Sequence, residues 1–253
     1  MRLMRSLVTA FSTYSRIPMP QVEWSEENRK YAMCFFPLVG AVIGGALWLW
    51  LALCGRLALG GLLRGAFGAL IPLLVTGGIH MDGFMDTADA LASWQPKEKR
   101  LEILKDSHTG AFAVMRCCGY LLLAAGLLSE ARSEDGPMLA MAFVASRALS
   151  AWALAAFRGA RPDGMLESFA RAARLRLVSA SSGAYLALCL LVWGLCGGAL
   201  ALICAAAAAG VTLYYRRMAY KQFGGVTGDL AGWFLQTVEL CLTAAVVMGG
   251  KLL

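Results

Sequence analysis

Charge is scarce in this sequence. Only 15% of its 253 residues are Asp, Glu, Lys or Arg, against about 25% in soluble domains. Hydrophobic residues make up 59%, and the mean hydropathy is +0.63. That shortage excludes a soluble globular protein and implies an integral membrane protein. Apolar runs recur along almost the whole chain, so residues 1–253 read as one membrane domain. Metal-type cysteine spacing is also lacking: the eight cysteines lie almost entirely inside apolar runs, where small thiols serve as buried side chains. Adjacent Cys117 and Cys118 make no zinc motif. No internal repeat is present. A secretory signal is not expected at "MRLMRSLVTAFSTYSRIPMP", where neither a long apolar core nor a small-residue cleavage site is clear. With Arg2, Arg5 and Arg16 around it, the segment fits an amphipathic helix lying in the membrane interface.

A bilayer core of about 30 Å takes about 20 apolar residues to cross as a helix. Seven runs answer that description: 31–54, 62–79, 110–129, 137–157, 178–196, 198–215 and 230–250. The expected fold is all-α, a polytopic bundle of about seven transmembrane helices plus the N-terminal interfacial helix. Arg64 shortens the second run, and "GLCGG" between the fifth and sixth suits a tight helical hairpin. With seven spans, segments 1–30, 80–109, 158–177 and 216–229 share one side. They carry 17 Lys and Arg, against 4 on the other side (Arg56, Arg64, Arg132 and Lys251). By the positive-inside rule that side is cytoplasmic. The bias explains the net charge of +7 through topology and anionic lipid, without nucleic acid. The expected location is the cytoplasmic (inner) membrane, with the lipid bilayer as partner and any chemistry on the cytoplasmic face.

The stretch "GGIHMDGFMDTADAL" (77–91) sits at the end of the second run. On a helix, Asp82, Asp86 and Asp89 fall at i, i+4 and i+7 on one face. Carboxylates about 5–6 Å apart repel by roughly 3 kcal/mol per pair at an effective dielectric near 20. No cation stands at i±3 or i±4 in the segment to offset this. A divalent cation would, and oxygen-only ligands favour magnesium or a similar hard ion. The competing reading is a solvated acidic helix start, which accounts for one or two of the aspartates but not for a third two turns in. "TGG" at 76–78 and Gly83 imply that the backbone bends or closely approaches something here.

A second cluster, "KEKRLEILKDSHTGAF" (97–112), offers Lys105 to a phosphate, Asp106 to a metal, and Ser107 and Thr109 as hydrogen-bond donors. An ordinary charged surface helix with a Ser/Thr cap explains it equally well. A third, "KQFGGVTGDLAG" (221–232), contains Gly225, Thr227 and Asp229. Backbone N–H groups of such a loop can cradle phosphate, or the loop is simply a glycine-rich connection. Arg116, Arg147 and Glu239 fall within spans, where each charge costs about 2.5–3.5 kcal/mol. Pairing between Glu239 and an arginine is one solution; Arg147 as a phosphate anchor is another. His80 and His108 are the two histidines and stand beside the acidic clusters. On a helix that includes it, His80 faces away from Asp82.

"TGGIHMDGFMDTADAL", "RLEILKDSHTGAFAV" and "FGGVTGD", in that order, resemble the cobalamin synthase family of adenosylcobinamide-GDP ribazoletransferases. "SRIPMP" and "FPLVGAVIGG" are similar to that family as well, so the resemblance runs from about residue 11 to 240. Ala90 departs from a frequent glycine and His108 from a common arginine; the carboxylates are intact. The resemblance implies a magnesium-dependent membrane enzyme of cobamide assembly. It would join adenosylcobinamide-GDP to α-ribazole or its 5′-phosphate and release GMP. It implies Asp82, Asp86 and Asp89 as magnesium ligands, and Asp106 as a further ligand or as the base for the acceptor hydroxyl. Asp82, Asp86, Asp106 and Lys105 would carry catalysis. Lys105, Arg16 and Arg147 become phosphate-binding candidates. His80, Ser107 and Thr109 join the substrate-binding set, with Gly225, Thr227 and Asp229 as a substrate loop. The lower-ligand base and the oligomeric state stay open.

Other membrane proteins also place aspartates at helix ends. CDP-alcohol phosphotransferases open with D-G-x-x-A-R, whereas Asp82-Gly83 is followed by "FMD" with no Ala-Arg pair. Aromatic prenyltransferases share the aspartate spacing but leave "GGVTGD" unexplained. An ion-coupled transporter carries its coupling carboxylates mid-span, where only Glu239 lies. The charge asymmetry predicts the topology directly: single cysteines placed at 97 and 222 should label from the cytoplasmic side only, and labelling from the opposite side would reverse the orientation.

Overall fold

A computed structural model describes residues 2–252. Twelve α-helices follow along them: α1 (Arg2–Tyr14), α2 (Glu26–Arg29), α3 (Ala32–Arg56), α4 (Gly61–Thr76), α5 (Ile79–Ala92), α6 (Lys97–Ile103), α7 (Ala111–Glu130), α8 (Gly136–Ala156), α9 (Met165–Ala172), α10 (Leu175–Gly197), α11 (Leu200–Phe223) and α12 (Gly228–Leu252). An isolated parallel bridge joins Gly159 to Val226. The all-α membrane architecture expected from composition is the one observed.

Five helices have the length and apolarity to cross a bilayer: α3, α7, α8, α10 and α12. The expected second span is different in kind. Only α4 and α5 together reach that standard, and they meet at 99°. The cause is local. Gly77 (φ 67°) and Gly78 (φ 84°) are both left-handed, a conformation that side chains with a Cβ resist. Thr76 Oγ1 turns back to the Pro72 carbonyl at 2.7 Å and accepts the Gly78 N–H at 3.3 Å. By length and composition alone five helices qualify, or six with the bent pair as one span, against the about seven expected. Helix α11 is 24 residues long, but Arg216, Arg217 and Lys221 occupy its second half.

Helices α8 and α12 form the interior, and α7 and α10 stand outside. Small residues permit the closest packing, as in membrane bundles generally. A Cβ on Gly44 of α3 would come within 2.6 Å of Ala140 in α8. Leu49, Leu62, Leu122, Leu195, Leu202 and Leu213 all face outward. An exposed apolar belt of this kind is a lipid-facing surface. Helix α1 packs along α3, burying Ser6, Thr9, Ala10 and Phe11 and leaving Leu3 and Met4 exposed.

Inside the bundle, Arg147 of α8 is 1% exposed and ion-paired to Glu239 of α12, itself 2% exposed. Arg147 also donates to Ser146 Oγ at 2.9 Å and to the Phe143 carbonyl at 3.2 Å, and Ser146 donates to Glu239 at 3.3 Å. The phosphate-anchor expectation for Arg147 is corrected here: its guanidinium is enclosed and committed to a carboxylate. Removing one member of such a pair strands a buried charge. Arg147→Met should cost about 3–5 kcal/mol, and Arg147→Met with Glu239→Leu should recover most of it. Thermal unfolding in detergent compares the two.

Candidate active site

The right-angle turn at Gly77–Gly78 lays α5 across the first turns of α12. The crossing is backbone to backbone. A Cβ on Gly83 would lie 2.7 Å from the Asp229 carbonyl oxygen, and one on Gly232 would lie 2.8 Å from that of His80. Close approach at Gly83, anticipated from the sequence, is therefore observed, with α12 as the partner. It brings Asp229 to the α5 aspartates: Asp82, Asp89 and Asp229 each act as like charges on Asp86. Asp82 is exposed, and Asp86, Asp89 and Asp229 are half-buried.

Asp89 serves a distinct purpose. Its Oδ2 accepts the Gly110 N–H at 2.7 Å and its Oδ1 accepts the Ala113 N–H at 2.8 Å. Both carboxylate oxygens thus hold the start of α7, where unpaired N–H groups and the helix dipole favour an anion. The third aspartate of the array caps a helix in this structure.

Three cavities adjoin the group. An open one of about 560 Å³ is lined by Arg16, Gly77, Gly78, Asp82 and Met85, among others. A second, of about 210 Å³, runs from Tyr14, Phe36 and His80 to Asp82 and Asp229. A third of about 270 Å³ is lined by Lys105, Arg161, Asp163, Glu167, Thr227 and Asp229. Asp82 belongs to the first two and Asp229 to the last two. The carboxylates thus stand at the junctions of one cleft, with cations at both ends.

The loops forming the third cavity are tied together. Ala160 donates to the Val226 carbonyl at 2.9 Å and Val226 to that of Arg158 at 3.0 Å. Gly225 is buried under Arg158–Ala160. Arg161 pairs with Asp229 at 3.1 Å. Thr227 donates to the same Asp229 oxygen at 3.4 Å and accepts the Leu230 N–H at 3.3 Å. Lys105 lies 3.1 Å from Asp163; its hydrogen bond and charge hold the Asp163 carboxyl below the usual carboxylate range.

Asp106 is placed otherwise. Its carboxylate accepts the His108 N–H at 3.0 Å and meets the His108 ring at 2.7 Å. These bonds hold its pKa below the ordinary value, the wrong direction for a base working near neutrality. Asp106, Ser107 and Thr109 are exposed and line none of the three cavities. His80, in contrast, is buried and lines the same cavity as Asp82. The cavity opens over the first turn of α5, so residues on both sides of that turn reach it. Arg161, Asp163 and Tyr14 are the residues that motif reading passed over. Only the basic composition of 158–177 pointed toward Arg161.

Among the described residues, no three His, Cys, Asp or Glu side chains converge into a preformed metal shell. Magnesium rarely requires one: it keeps several waters and binds through one or two carboxylates plus substrate phosphates. Asp82, which lines the cleft, and Asp86, which lies among the same like charges with no cation in the helix, are oxygen donors of the kind such an ion takes.

Fold and cleft together define a multi-pass helical membrane protein with a carboxylate-centred site flanked by cations, suited to phosphate esters. Residues 6–247 match the cobalamin-5-phosphate synthase family, and the chain belongs to that family. It shares 44% identity over 98% of its length, and 95% of the relative's, with an adenosylcobinamide-GDP ribazoletransferase of Lachnoclostridium phytofermentans. Relatives of the same name from Desulfitobacterium hafniense and Clostridium botulinum are 34% and 31% identical, each over 94% of this chain and over 94% and 95% of their own. No solved structure matches the chain. The resemblance drawn from the three motifs is therefore borne out.

The two kinds of aspartate separate experimentally. Asp86→Asn relieves repulsion and should leave thermal stability unchanged or higher. Asp89→Ala removes two bonds to the start of α7 and should cost about 1–3 kcal/mol, seen as a lower melting temperature.

Proposed function

We propose that the chain is a transferase of cobamide nucleotide-loop assembly, acting at the cytoplasmic face of the cytoplasmic membrane. It joins adenosylcobinamide-GDP to α-ribazole or α-ribazole 5′-phosphate and releases GMP, with magnesium as cofactor. The observation that carries the reading is the cleft at the α5–α12 crossing, in a chain whose relatives bear that activity by name. Cytoplasmic orientation is supported by the origin of its lining. Arg16, Asp82, Lys105, Arg161 and Asp229 come from the four segments that hold 17 of the 23 Lys and Arg.

Phosphoryl transfer asks a protein mainly for positioning and electrostatics. Arg16 and Arg161, at opposite ends of the cleft, supply positive charge to the diphosphate of the donor. Asp229 and Thr227 fix Arg161 so that its guanidinium is oriented before substrate arrives. Lys105 adds a second cation beside it. Magnesium held by Asp82 and Asp86 would neutralise the bridging phosphates and the departing GMP. The acceptor's ribose hydroxyl attacks phosphorus, GMP leaves, and the hydroxyl proton passes to a carboxylate of the cleft. No nucleophilic side chain is required.

Purified protein given adenosylcobinamide-GDP, α-ribazole and magnesium should release GMP and form a cobamide; absence of both products would sink the assignment. Asp82→Asn and Asp86→Asn should lower GMP release by orders of magnitude, since several kcal/mol of charge stabilisation is at stake and each 1.36 kcal/mol is tenfold in rate. Normal rates for both variants at ordinary magnesium would end the metal-site proposal.

A further inference from the structure

On α4, Leu63, Phe67, Leu70 and Leu74 are 48%, 51%, 41% and 68% exposed. Their spacing of i, i+4, i+7 and i+11 puts them on one face of the helix, and an exposed apolar face of a membrane bundle meets acyl chains. Leu74 ends this stripe two residues before α4 stops at Thr76. It also lines the open cavity of about 560 Å³ that contains Arg16 and Asp82. Leu73, Ile79, Met81 and Met85 give that cavity further apolar walls. The lipid-facing surface and the acidic cleft are therefore continuous at Leu74.

Arg16 stands at the same depth. Its N–H donates to the Val75 carbonyl at 2.8 Å, satisfying one of the acceptors that the end of α4 leaves free. Its side-chain stem lies over Gly77, where a Cβ would come within 2.7 Å of it. Arg16 and Asp82 are both exposed, and neither has an ion-pair partner among the described residues. One cavity thus presents a cation and a carboxylate where the acyl-chain surface ends. A phosphoglycerol headgroup would satisfy Arg16 and set a second anion beside Asp82. A phosphoethanolamine headgroup satisfies both, because its ammonium also offers charge-assisted N–H bonds to a carboxylate; the methylated ammonium of choline has no N–H to give. We propose that this mouth binds a phospholipid with a phosphoethanolamine headgroup, an acyl chain along the α4 stripe, the phosphate on Arg16 and the ammonium on Asp82. The bilayer then forms one side of the cleft. The site goes beyond the transferase reading and does not depend on it.

The test titrates the full chain in detergent with phosphatidylethanolamine, phosphatidylglycerol and phosphatidylcholine, and counts bound lipid by native mass spectrometry. The metal proposed for Asp82 excludes the ammonium, so the buffer is free of magnesium. Phosphatidylethanolamine should bind about tenfold more tightly than the other two, the equivalent of one added charge-assisted contact. Asp82→Asn should remove that preference without weakening phosphatidylglycerol. Arg16→Gln should weaken all three lipids about tenfold. Leu74→Ser should weaken all three several-fold, whereas Leu122→Ser, at a residue 75% exposed on the outer helix α7, should change nothing. Millimolar inorganic phosphate should leave the lipid in place. Equal binding of the three lipids by the wild type would overturn the proposal, as would a preference that survives Asp82→Asn. Displacement by inorganic phosphate would assign Arg16 to soluble phosphate esters alone and overturn it too. Equal effects of Leu74→Ser and Leu122→Ser would reduce the bound lipid to the general coat of the bundle and defeat the site. If Arg16→Gln does not fold, Asp82→Asn and Leu74→Ser decide. None of these measurements uses GMP release, so failure of the lipid site leaves the transferase reading standing.

Discussion

Backbone contact between α5 and α12 is the constraint from which the site follows. Gly83 rests against Asp229, and Gly232 rests against His80. A Cβ at either position would meet the other helix's backbone at 2.7 or 2.8 Å, so a side chain there would force the helices apart. The approach also needs α5 to leave α4 at 99°, which two successive left-handed glycines permit. One backbone turn and one close crossing thus convert an acidic helix into the floor of a cleft. They set Asp82 and Asp86 opposite Asp229, whereas a straight continuation of α4 would carry the aspartates away from α12.

Electrostatics divides the polar residues into two separate systems. In the bundle interior, Arg147 and Glu239 neutralise one another with Ser146 between them. At the α5 end, the charges come from distant parts of the chain and are arranged around space. Arg16 lines a cavity with Asp82, and Lys105 and Arg161 line one with Asp229. A site of this kind attracts both a cation and an anionic phosphate ester, each favoured by the other's charge. The interior pair holds helices together; at the cleft Arg161 pairs with Asp229 and Lys105 with Asp163, and among the described residues no ion pair neutralises Asp82 or Asp86.

Within the array of three aspartates, geometry distinguishes roles that spacing made equivalent. Asp82 lines the cleft, Asp86 lies among like charges, and Asp89 is turned to the backbone of α7. Asp89 acts through position: it anchors the start of α7 to α5. A helix start is a natural partner for a carboxylate, so two aspartates seven residues apart meet a helix backbone in one case and an open cavity in the other.

The sequence alone determined the membrane class, the places of most helices and the family. Apolar runs report burial in lipid directly, and three ordered motifs survive without any knowledge of their contacts. It also marked the bend at "TGG", because glycine pairs signal backbone freedom. Only tertiary structure decided partners. Arg147 lies on a helix face that the sequence leaves open to phosphate or to carboxylate; packing of α8 on α12 made the choice. Asp106 sits beside Lys105 in the chain, yet a local turn with His108 directs it away from the cleft that Lys105 lines. Arg161 belongs to no motif and reaches the site through the bridge from Gly159 to Val226. Such long-range pairings depend on which elements meet in space, and hydropathy and local spacing carry no record of that.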